Sequence, residues 1–291
     1  MEHGERRKEC LLIIIIIPNL FMEKKPVLNS LISIGAYREF IQQIFSLVMH
    51  KIPSYVCFAN VHMVVEGYKD ITFQKIVNNA NVAAPDGKPV SLFLQYFGKL
   101  NQDRVCGMDL FPDLLQEAER LGKSIYLYGT TDELLTTIIQ KAKKEFPSLK
   151  ISGFYSPPFR NLSEEENISI IAKIKATSPD LVFVSLGCPK QEKWMAQNRD
   201  NIGACLLGVG QAFKVYAGVE KRLPKWMRNL SLEWLYRFYL EPQRLWKRYL
   251  FTNSYFLFLT LQYMTTRFIQ KLSAPFGRVK LSESILQESD E

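Results

Sequence analysis

The segment best equipped for chemistry is NVAAPDGKPV, residues 81–90, which places the carboxylate of Asp86 after a small apolar run. Pro-Asp-Gly is a common turn signal, because aspartate and glycine both tolerate the backbone angles that turns require. Asp86 therefore has two interpretations: a turn former, or a carboxylate aimed into a site. The dipeptide statistics on their own favour the turn.

A second segment, GCPKQEKWM at residues 187–195, has the composition of an anion site. Gly187 ends a predicted strand, and Pro189 can start a helix whose first turn contains Lys190, Gln191 and Glu192. A lysine in the first turn opposes the helix dipole, so an anion bound beside it would explain the sequence. The alternative is an ordinary charged helix start, and both interpretations stay open.

Glycines end three predicted strands, at Gly129, at Gly187 and at the pair Gly208 and Gly210. In open parallel sheets, ligands bind beyond the carboxyl ends of the strands, where helix N-termini present N–H groups to phosphate. Thr130, which follows Gly129, suits that use, although strand-to-helix turns also need glycine for geometry alone. Neither a G-x-G-x-x-G turn nor a Walker sequence is present, which disfavours dinucleotide and P-loop chemistry.

The elements that must position these residues alternate along the middle of the chain. Short apolar runs predict strands, and amphipathic runs between them predict helices. One helix, at 131–146, follows a strand directly, and another begins with Ser163 and Glu166 in capping-box positions. The predicted strands are 54–59, 124–129, 150–155, 181–187 and 204–210. This alternation predicts an α/β fold, a mostly parallel sheet with helices on both faces.

Metal and disulfide chemistry find little support in the composition. The five cysteines include no C-x-x-C pair, and the three histidines show no ligand spacing. We therefore expect neither a structural zinc site nor a disulfide framework.

The net charge of +8 is concentrated near the C-terminus. Between Lys221 and Lys280 there are twelve lysines and arginines against two glutamates, interleaved with tryptophan and tyrosine. This mixture is typical of a segment that lies on an anionic membrane surface. It also fits RNA binding, or a helical pair whose aromatic residues form a core. Asn253 and Ser254 interrupt the apolar stretch, so we expect it to lie on a membrane and not to cross it.

The N-terminal run CLLIIIIIP, residues 10–18, is shorter than the about 20 apolar residues that a spanning helix needs. It has the order of a signal peptide but no convincing cleavage site. Met22 is an alternative start, and we expect residues 1–25 to lie outside the fold.

Six motifs make the chain resemble the WecG/TagA/CpsF family of bacterial glycosyltransferases, glycosyltransferase family 26, from about Val27 to about Leu250. They are, in the family's order, FANVHM, APDGKPV, DRVCGMDL, FVSLGCPKQEKW, GVGQAFKVYAG and LEWLYRFYLEPQRLWKRYL. The resemblance implies a Rossmann-like catalytic core of the GT-E type. We place that core at 26–218, a basic helical membrane-associating appendage at 219–275 and a disordered tail at 276–291.

The resemblance also implies residue roles. Asp86 is the expected catalytic base, since an inverting transfer needs a carboxylate to take the proton of the attacking hydroxyl. The family lacks the D-x-D metal motif, as does this chain, so no cofactor is expected and Arg104 is the expected cation for the leaving diphosphate. The expected substrate-binding residues are Asn60, Gly87, Gly129, Thr130, Gly187, Lys190, Gln191, Gly208, Gly210, Gln211, Arg237, Arg244 and Arg248.

Two departures from the family pattern bear on the donor. Phe58 stands where many members have a threonine, and Lys214 stands where many have an acidic residue. The identity of the donor sugar therefore stays open.

The resemblance as a whole implies a metal-independent inverting glycosyltransferase. It would transfer a sugar, N-acetylmannosamine-like or another hexose, from a UDP-sugar to a polyprenyl-pyrophosphate-linked saccharide. We expect it at the cytoplasmic face of the bacterial inner membrane, in cell-surface polysaccharide synthesis, with no nucleic-acid partner and with a homo-oligomer left open. The alternative is a non-catalytic nucleotide-sugar or nucleic-acid binding module with a basic tail, but such a module has no need of Asp86 as a base.

Overall fold

The computed structural model describes residues 21–221, 223, 227, 233–240 and 242–273. Residues 1–20 of the predicted leader 1–25 and the predicted tail at 276–291 lie outside the described residues, whereas Lys24 and Lys25 belong to β1. The strands are β1 (Lys24–Val27), β2 (Ser30–Ser33), β3 (Ser54–Ala59), β4 (Val82–Pro85), β5 (Ser124–Gly129), β6 (Lys150–Tyr155), β7 (Leu181–Ser185) and β8 (Cys205–Leu207). The helices are α1 (Tyr37–Met49), α2 (Val61–Lys69), α3 (Ile71–Asn79), α4 (Lys88–Gly98), α5 (Gly107–Arg120), α6 (Asp132–Glu145), α7 (Glu164–Ala176), α8 (Lys190–Ile202), α9 (Ala212–Tyr216), α10 (Glu233–Leu240) and α11 (Pro242–Ser273).

The central sheet has six strands in the order β4-β3-β8-β7-β5-β6. Every neighbouring pair is parallel, and β1 and β2 form a separate antiparallel hairpin. Helices flank the sheet, so the predicted α/β fold with a parallel sheet is confirmed.

Both faces of the sheet are buried, which explains why its strands have continuous apolar sequences. All six residues of β3 are buried. Because successive side chains point to opposite faces, Val56 and Phe58 join one hydrophobic cluster, while Tyr55 and Cys57 join the other. The two clusters hold the helices against the sheet and so fix where the strand ends open.

Two strands end earlier than the apolar runs predicted, at Ser185 and at Leu207. Neither run continues as a strand through its positive-φ glycine, since Gly187, two residues after Ser185, has φ +81° and Gly210, three residues after Leu207, has φ +50°. Glycine adopts this left-handed region without the strain that a Cβ would cause. The chain therefore turns away from strand geometry at the edge where the candidate site lies.

The C-terminal region contains a long helix, α11, of 32 residues. Phe256 and Leu259 are buried on the side of α11 that faces the core. The ring centroid of Phe93, on α4, lies 6.4 Å from that of Phe256 and 5.3 Å from that of Tyr263. In the described part of the chain, no helix is both long and apolar enough to cross a bilayer.

Candidate active site

Three neighbouring strands end at one edge of the sheet and deliver Asn60, Asp86 and Gly208 to it. Asn60 follows β3, Asp86 follows β4 and Gly208 follows β8. The backbone N–H of Asp86 donates to the carbonyl of Ala59 (3.1 Å), so the ends of β3 and β4 stay paired up to the last residue. In an open parallel sheet this carboxyl edge is where ligands bind.

Asp86 is in a turn and at the sheet edge at once, so its two interpretations are compatible. Gly87, with φ +93°, is the N-cap of α4, and Pro89 occupies the first turn of that helix. The side chain of Asp86 is half-buried. The Pro-Asp-Gly sequence thus makes the sharp exit from β4 that leaves the carboxylate at the strand end.

Arg104 is brought to the same edge by a backbone contact. The N–H of Val105 donates to the carbonyl of Pro85 (3.0 Å), so the loop before α5 runs beside the end of β4. The guanidinium of Arg104 donates to Asp109 Oδ2 at 2.8 Å, and 15% of its side chain is exposed. Asp109 lies in the first turn of α5. It orients the guanidinium of Arg104, the cation that we expect to bind the diphosphate.

Asn60 and Phe58 have structural contacts that the sequence did not indicate. Asn60 Oδ1 accepts the N–H of Met63 (3.1 Å), so this side chain caps α2. The Phe58 ring is buried, and a Cβ on Gly107 would come within 3.3 Å of it. The aromatic residue that replaces the family's threonine is therefore packed under the start of α5.

Gln191 joins two strand ends. Its Oε1 accepts the N–H of Gly187 (3.2 Å), and its Nε2 donates to the carbonyl of Gly208 (2.8 Å). The side chain is 5% exposed. Because both ends of the amide bind backbone groups, Gln191 ties the end of β7 to the end of β8. A Cβ on Gly208 would lie 2.9 Å from Gln191 Nε2, so this close approach depends on glycine.

Glu192 is a buried carboxyl that the sequence did not single out. It lies in the first turn of α8 and is completely buried. Burial raises the pKa of Glu192 to about 7, against the opposing effect of hydrogen bonds from Gln191, from its own backbone N–H and from Cys188. A glutamate in the first turn of a helix normally faces solvent and complements the helix dipole. Only its burial in the structure distinguishes Glu192 from such a residue.

A second group of predicted residues lines a cavity of about 580 Å³ beyond the ends of β5 and β7. Thr130 and Lys190 are in its lining, with Tyr128 and Trp194 as aromatic walls. The chain passes from β5 outward to β6 and returns to β7 on the other side of β5. Such a reversal of strand order opens a crevice that commonly binds ligands.

Gly129 serves the geometry of this crevice. It has φ +118°, and a Cβ there would lie 2.3 Å from the carbonyl oxygen of Ser185. Glycine is therefore required for β5 and β7 to approach each other at their ends.

Lys214 does not leave an uncompensated charge at the edge. Its Nζ lies 3.7 Å from Glu220 Oε1, and Gln211 Nε2 donates to Glu220 Oε2 at 2.5 Å. Glu220 thus provides a carboxylate next to the position where many family members have an acidic residue. Sequence spacing could not place Glu220, because it lies beyond α9.

The predicted residues divide by location. Asn60, Asp86, Gly87, Arg104, Gly208, Gly210 and Gln211 belong to the β4-β3-β8 edge, Gly129, Thr130, Gly187 and Lys190 belong to the β7-β5 edge, and Gln191 lies between them. The side chains of Arg237, Arg244 and Arg248 lie outside the described residues. In the described residues, no cluster of three histidine, cysteine or acidic side chains could hold a metal ion.

The sequence is also similar to a known family and to named proteins. A model of the glycosyl transferase WecG/TagA/CpsF family matches residues 26–270. The chain is 31% identical over 233 residues, 80% of its length and 87% of the relative's, to the N-acetylglucosaminyldiphosphoundecaprenol N-acetyl-beta-D-mannosaminyltransferase of Bacillus subtilis (strain 168).

Two further relatives carry the same name. The protein of Bacillus spizizenii (strain ATCC 23059 / NRRL B-14472 / W23) is 31% identical over 203 residues, 69% of this chain and 77% of the relative. That of Staphylococcus aureus (strain NCTC 8325 / PS 47) is 26% identical over 197 residues, 67% of this chain and 71% of the relative. The family match spans all six strands of the parallel sheet and the helices that flank it, and the chain therefore belongs to the WecG/TagA/CpsF family of glycosyl transferases.

Proposed function

We propose that the chain is an inverting glycosyltransferase that uses a UDP-sugar donor and a polyprenyl-pyrophosphate-linked saccharide acceptor. The observation that carries this proposal is the hydrogen bond from Val105 to Pro85, which sets Arg104 beside the end of β4, the strand that Asp86 follows. A carboxylate and a guanidinium held at neighbouring positions are the two groups that a transfer without a metal needs.

The reaction follows from these two groups. The Asp86 carboxylate takes the proton of the acceptor hydroxyl while the hydroxyl oxygen bonds to the anomeric carbon. The bond from that carbon to the diphosphate oxygen breaks, and the nucleotide leaves with the bonding electrons. Arg104, oriented by Asp109, stabilises the negative charge that develops on the diphosphate, since a guanidinium binds two phosphate oxygens at once.

The cavity at the β7-β5 edge is suited to the nucleotide of the donor. Tyr128 and Trp194 pack with ring centroids 4.5 Å apart, and Lys190 and Thr130 add polar groups to the lining. Its volume lies in the range of small-molecule sites, about 300–1,000 Å³. A nucleotide bound there directs its diphosphate along the sheet edge toward Asp86.

The acceptor class rests on the relatives. Their shared name describes transfer of N-acetylmannosamine to an N-acetylglucosaminyl diphosphoundecaprenol. An N-acetylmannosamine-like sugar or another hexose is the donor sugar in this proposal, and a cell-surface polymer of the teichoic-acid kind is the pathway. The catalytic core is residues 26–218, and residues 219–275 attach it to the cytoplasmic face of the bacterial inner membrane.

The experiment that tests this proposal is a donor screen against lipid-linked saccharide acceptors, with the products identified by mass. One UDP-sugar should yield an acceptor heavier by one sugar residue. No transfer from any UDP-sugar, together with salt-sensitive RNA binding, would instead support the binding-module alternative.

We expect transfer to continue in EDTA. The chain contains no D-x-D motif, and the proposal assigns the diphosphate charge to Arg104 and to backbone donors. The measurement is the rate after dialysis against EDTA, with and without added Mg²⁺ or Mn²⁺. A rate that EDTA stops and either metal restores would contradict the role given to Arg104.

A further inference from the structure

The carboxyl of Glu192 is a buried group to which the proposed mechanism gives no role. Its Oε1 accepts a hydrogen bond from Gln191 Nε2 at 2.8 Å. Its Oε2 is also buried and makes no hydrogen bond within the described part of the chain. A carboxyl in this state costs folding free energy, because the hydrogen bonds from Gln191, from its own backbone N–H and from Cys188 replace only part of the water that solvates it in the unfolded chain.

An apolar side chain of the same length would avoid that cost. Buried polar groups that a protein could replace without loss of stability are commonly found where function requires them. The position of Glu192 agrees with this, since it contacts the one side chain that joins the two halves of the candidate site.

That side chain is Gln191, and its hydrogen bonds explain why an acceptor is needed at position 192. One N–H of Nε2 donates to Gly208 on the side of Asp86, and the other donates to Glu192. The Oε1 accepts from Gly187 on the side of the cavity. Without an acceptor at position 192, one amide N–H would be buried and unsatisfied. Rotation of the amide to a new partner would then lower the free energy and would break its hydrogen bonds to Gly187 and Gly208, which form the bridge between β7 and β8.

We propose that Glu192 is a positioning residue for glycosyl transfer, one that pins the Gln191 amide and thereby fixes the end of β7 relative to the end of β8. β8 pairs with β3 beside the Asp86 edge, and β7 pairs with β5 at the cavity. The bridge therefore sets the distance between the base and the bound donor. This inference rests on the proposed function, because it assigns the donor and the base to those two edges.

The test compares Glu192→Met with Glu192→Gln in the full-length protein. Methionine fills a similar volume without an acceptor, and we expect kcat/KM for the UDP-sugar to fall by about 10-fold or more, mainly through KM. The melting temperature should change little, because removal of the buried carboxyl offsets the cost of the amide N–H that loses its acceptor. Glutamine can present its side-chain oxygen to Gln191, so we expect it to restore most of the lost kcat/KM. Gln74→Met, which removes a buried amide that bonds the carbonyl of Asn29 in the turn between β1 and β2, is the control for a merely structural change.

A double-mutant cycle with Gln191→Met tests whether Glu192 acts through its neighbour. In the Gln191→Met background, Glu192→Met should add little further loss. Glu192→Met with parental kinetics, equal losses in Glu192→Met and Glu192→Gln, or losses that add in the cycle would each overturn the proposal. If Glu192→Met does not fold, Glu192→Gln and Gln191→Met still give opposite expectations, near-parental for the first and impaired for the second.

Hydrogen exchange separates this proposal from the proposed function. The amide of Gly187 donates to Gln191, so we expect it to exchange faster in Glu192→Met than in the parent and in Glu192→Gln. This result does not depend on any donor or acceptor. If the parent transfers no sugar, the proposed function fails. Unchanged exchange at Gly187 in Glu192→Met would refute the positioning role.

Discussion

Replacing Asp86 by asparagine should lower the rate of transfer by about 10²–10⁴-fold, the range that general-base catalysis typically contributes. Asparagine keeps the shape of the side chain and the turn before Gly87, but it cannot take the proton of the acceptor hydroxyl. Binding of UDP should be close to parental, because the cavity proposed for the nucleotide is lined from the ends of β5 and β7, from α8 and from residues 157–167, and not from β4. The measurements are the single-turnover rate and calorimetric UDP binding.

The matched control is Asp180→Asn, in the segment before β7. The carboxylate of Asp180 accepts hydrogen bonds from the backbone N–H (2.8 Å) and the hydroxyl (2.9 Å) of Ser124, the first residue of β5, at the end of the sheet opposite to the candidate site. This variant should keep most of the parental rate even if it is less stable. An Asp86→Asn enzyme with more than half the parental activity would rule out Asp86 as the base.

Sequence patterns within a few residues predicted most strands and one helix start of this fold. Apolar runs located five of the six strands of the parallel sheet and missed β4, whose four residues are too few to stand out as a strand. Ser163 with Glu166 forms the expected capping box at the start of α7. The predicted strand ends were less accurate. The strand predicted to end at Gly187 stops at Ser185, because the chain turns at Gly187 although the composition of the run suits a strand up to that residue. Composition describes which residues suit a strand, but backbone dihedral angles decide where it stops.

The pairings within the candidate site could not be predicted in the same way. Arg104 and Asp109 are five residues apart, and they meet only because α5 begins between them and turns its first carboxylate back. Glu192 has the sequence of an exposed helix start, and its burial depends on how α8 packs against the sheet. Both contacts are tertiary, so one sequence without relatives carries no local signal for them.

The arrangement of α11 changes how its membrane role should be tested. Removing everything from about residue 219 would delete Phe256 and Leu259, which are buried against the core. Such a truncation would expose Phe93 and destabilise the enzyme whether or not a membrane is present. Substitutions on the outward side of α11 avoid this problem.

That outward side, which we name the outer apolar face, consists of Leu250, Leu257, Leu261, Met264 and Phe268, all exposed. Their spacing of three, four or seven residues places them on one side of a helix, opposite the buried Phe256 and Leu259. The basic segment that begins at Lys221 precedes this face along the chain. An apolar stripe next to cations is the chemistry of a helix that lies in the interface of an anionic bilayer.

Replacing Leu257, Leu261 and Phe268 together by serine should therefore release the enzyme from anionic liposomes. If each side chain contributes about 1 kcal/mol, less than full burial provides, the partition coefficient should fall about 100-fold. High salt should weaken binding of the parent without abolishing it, because salt screens the cations but not apolar burial.

The matched control replaces Leu31, Ile71 and Ile168 by serine, three exposed apolar residues on β2, α3 and α7. It makes the same kind of change, apolar to serine, away from the outer apolar face and should leave liposome binding unchanged.

The decisive comparison uses flotation together with transfer to two acceptors, one in vesicles and one short and water-soluble. Loss on the vesicle acceptor alone assigns the outer apolar face to membrane attachment, because the base and the donor cavity are untouched. A triple variant that floats with liposomes as well as the parent does would show that this face does not hold the enzyme on the bilayer.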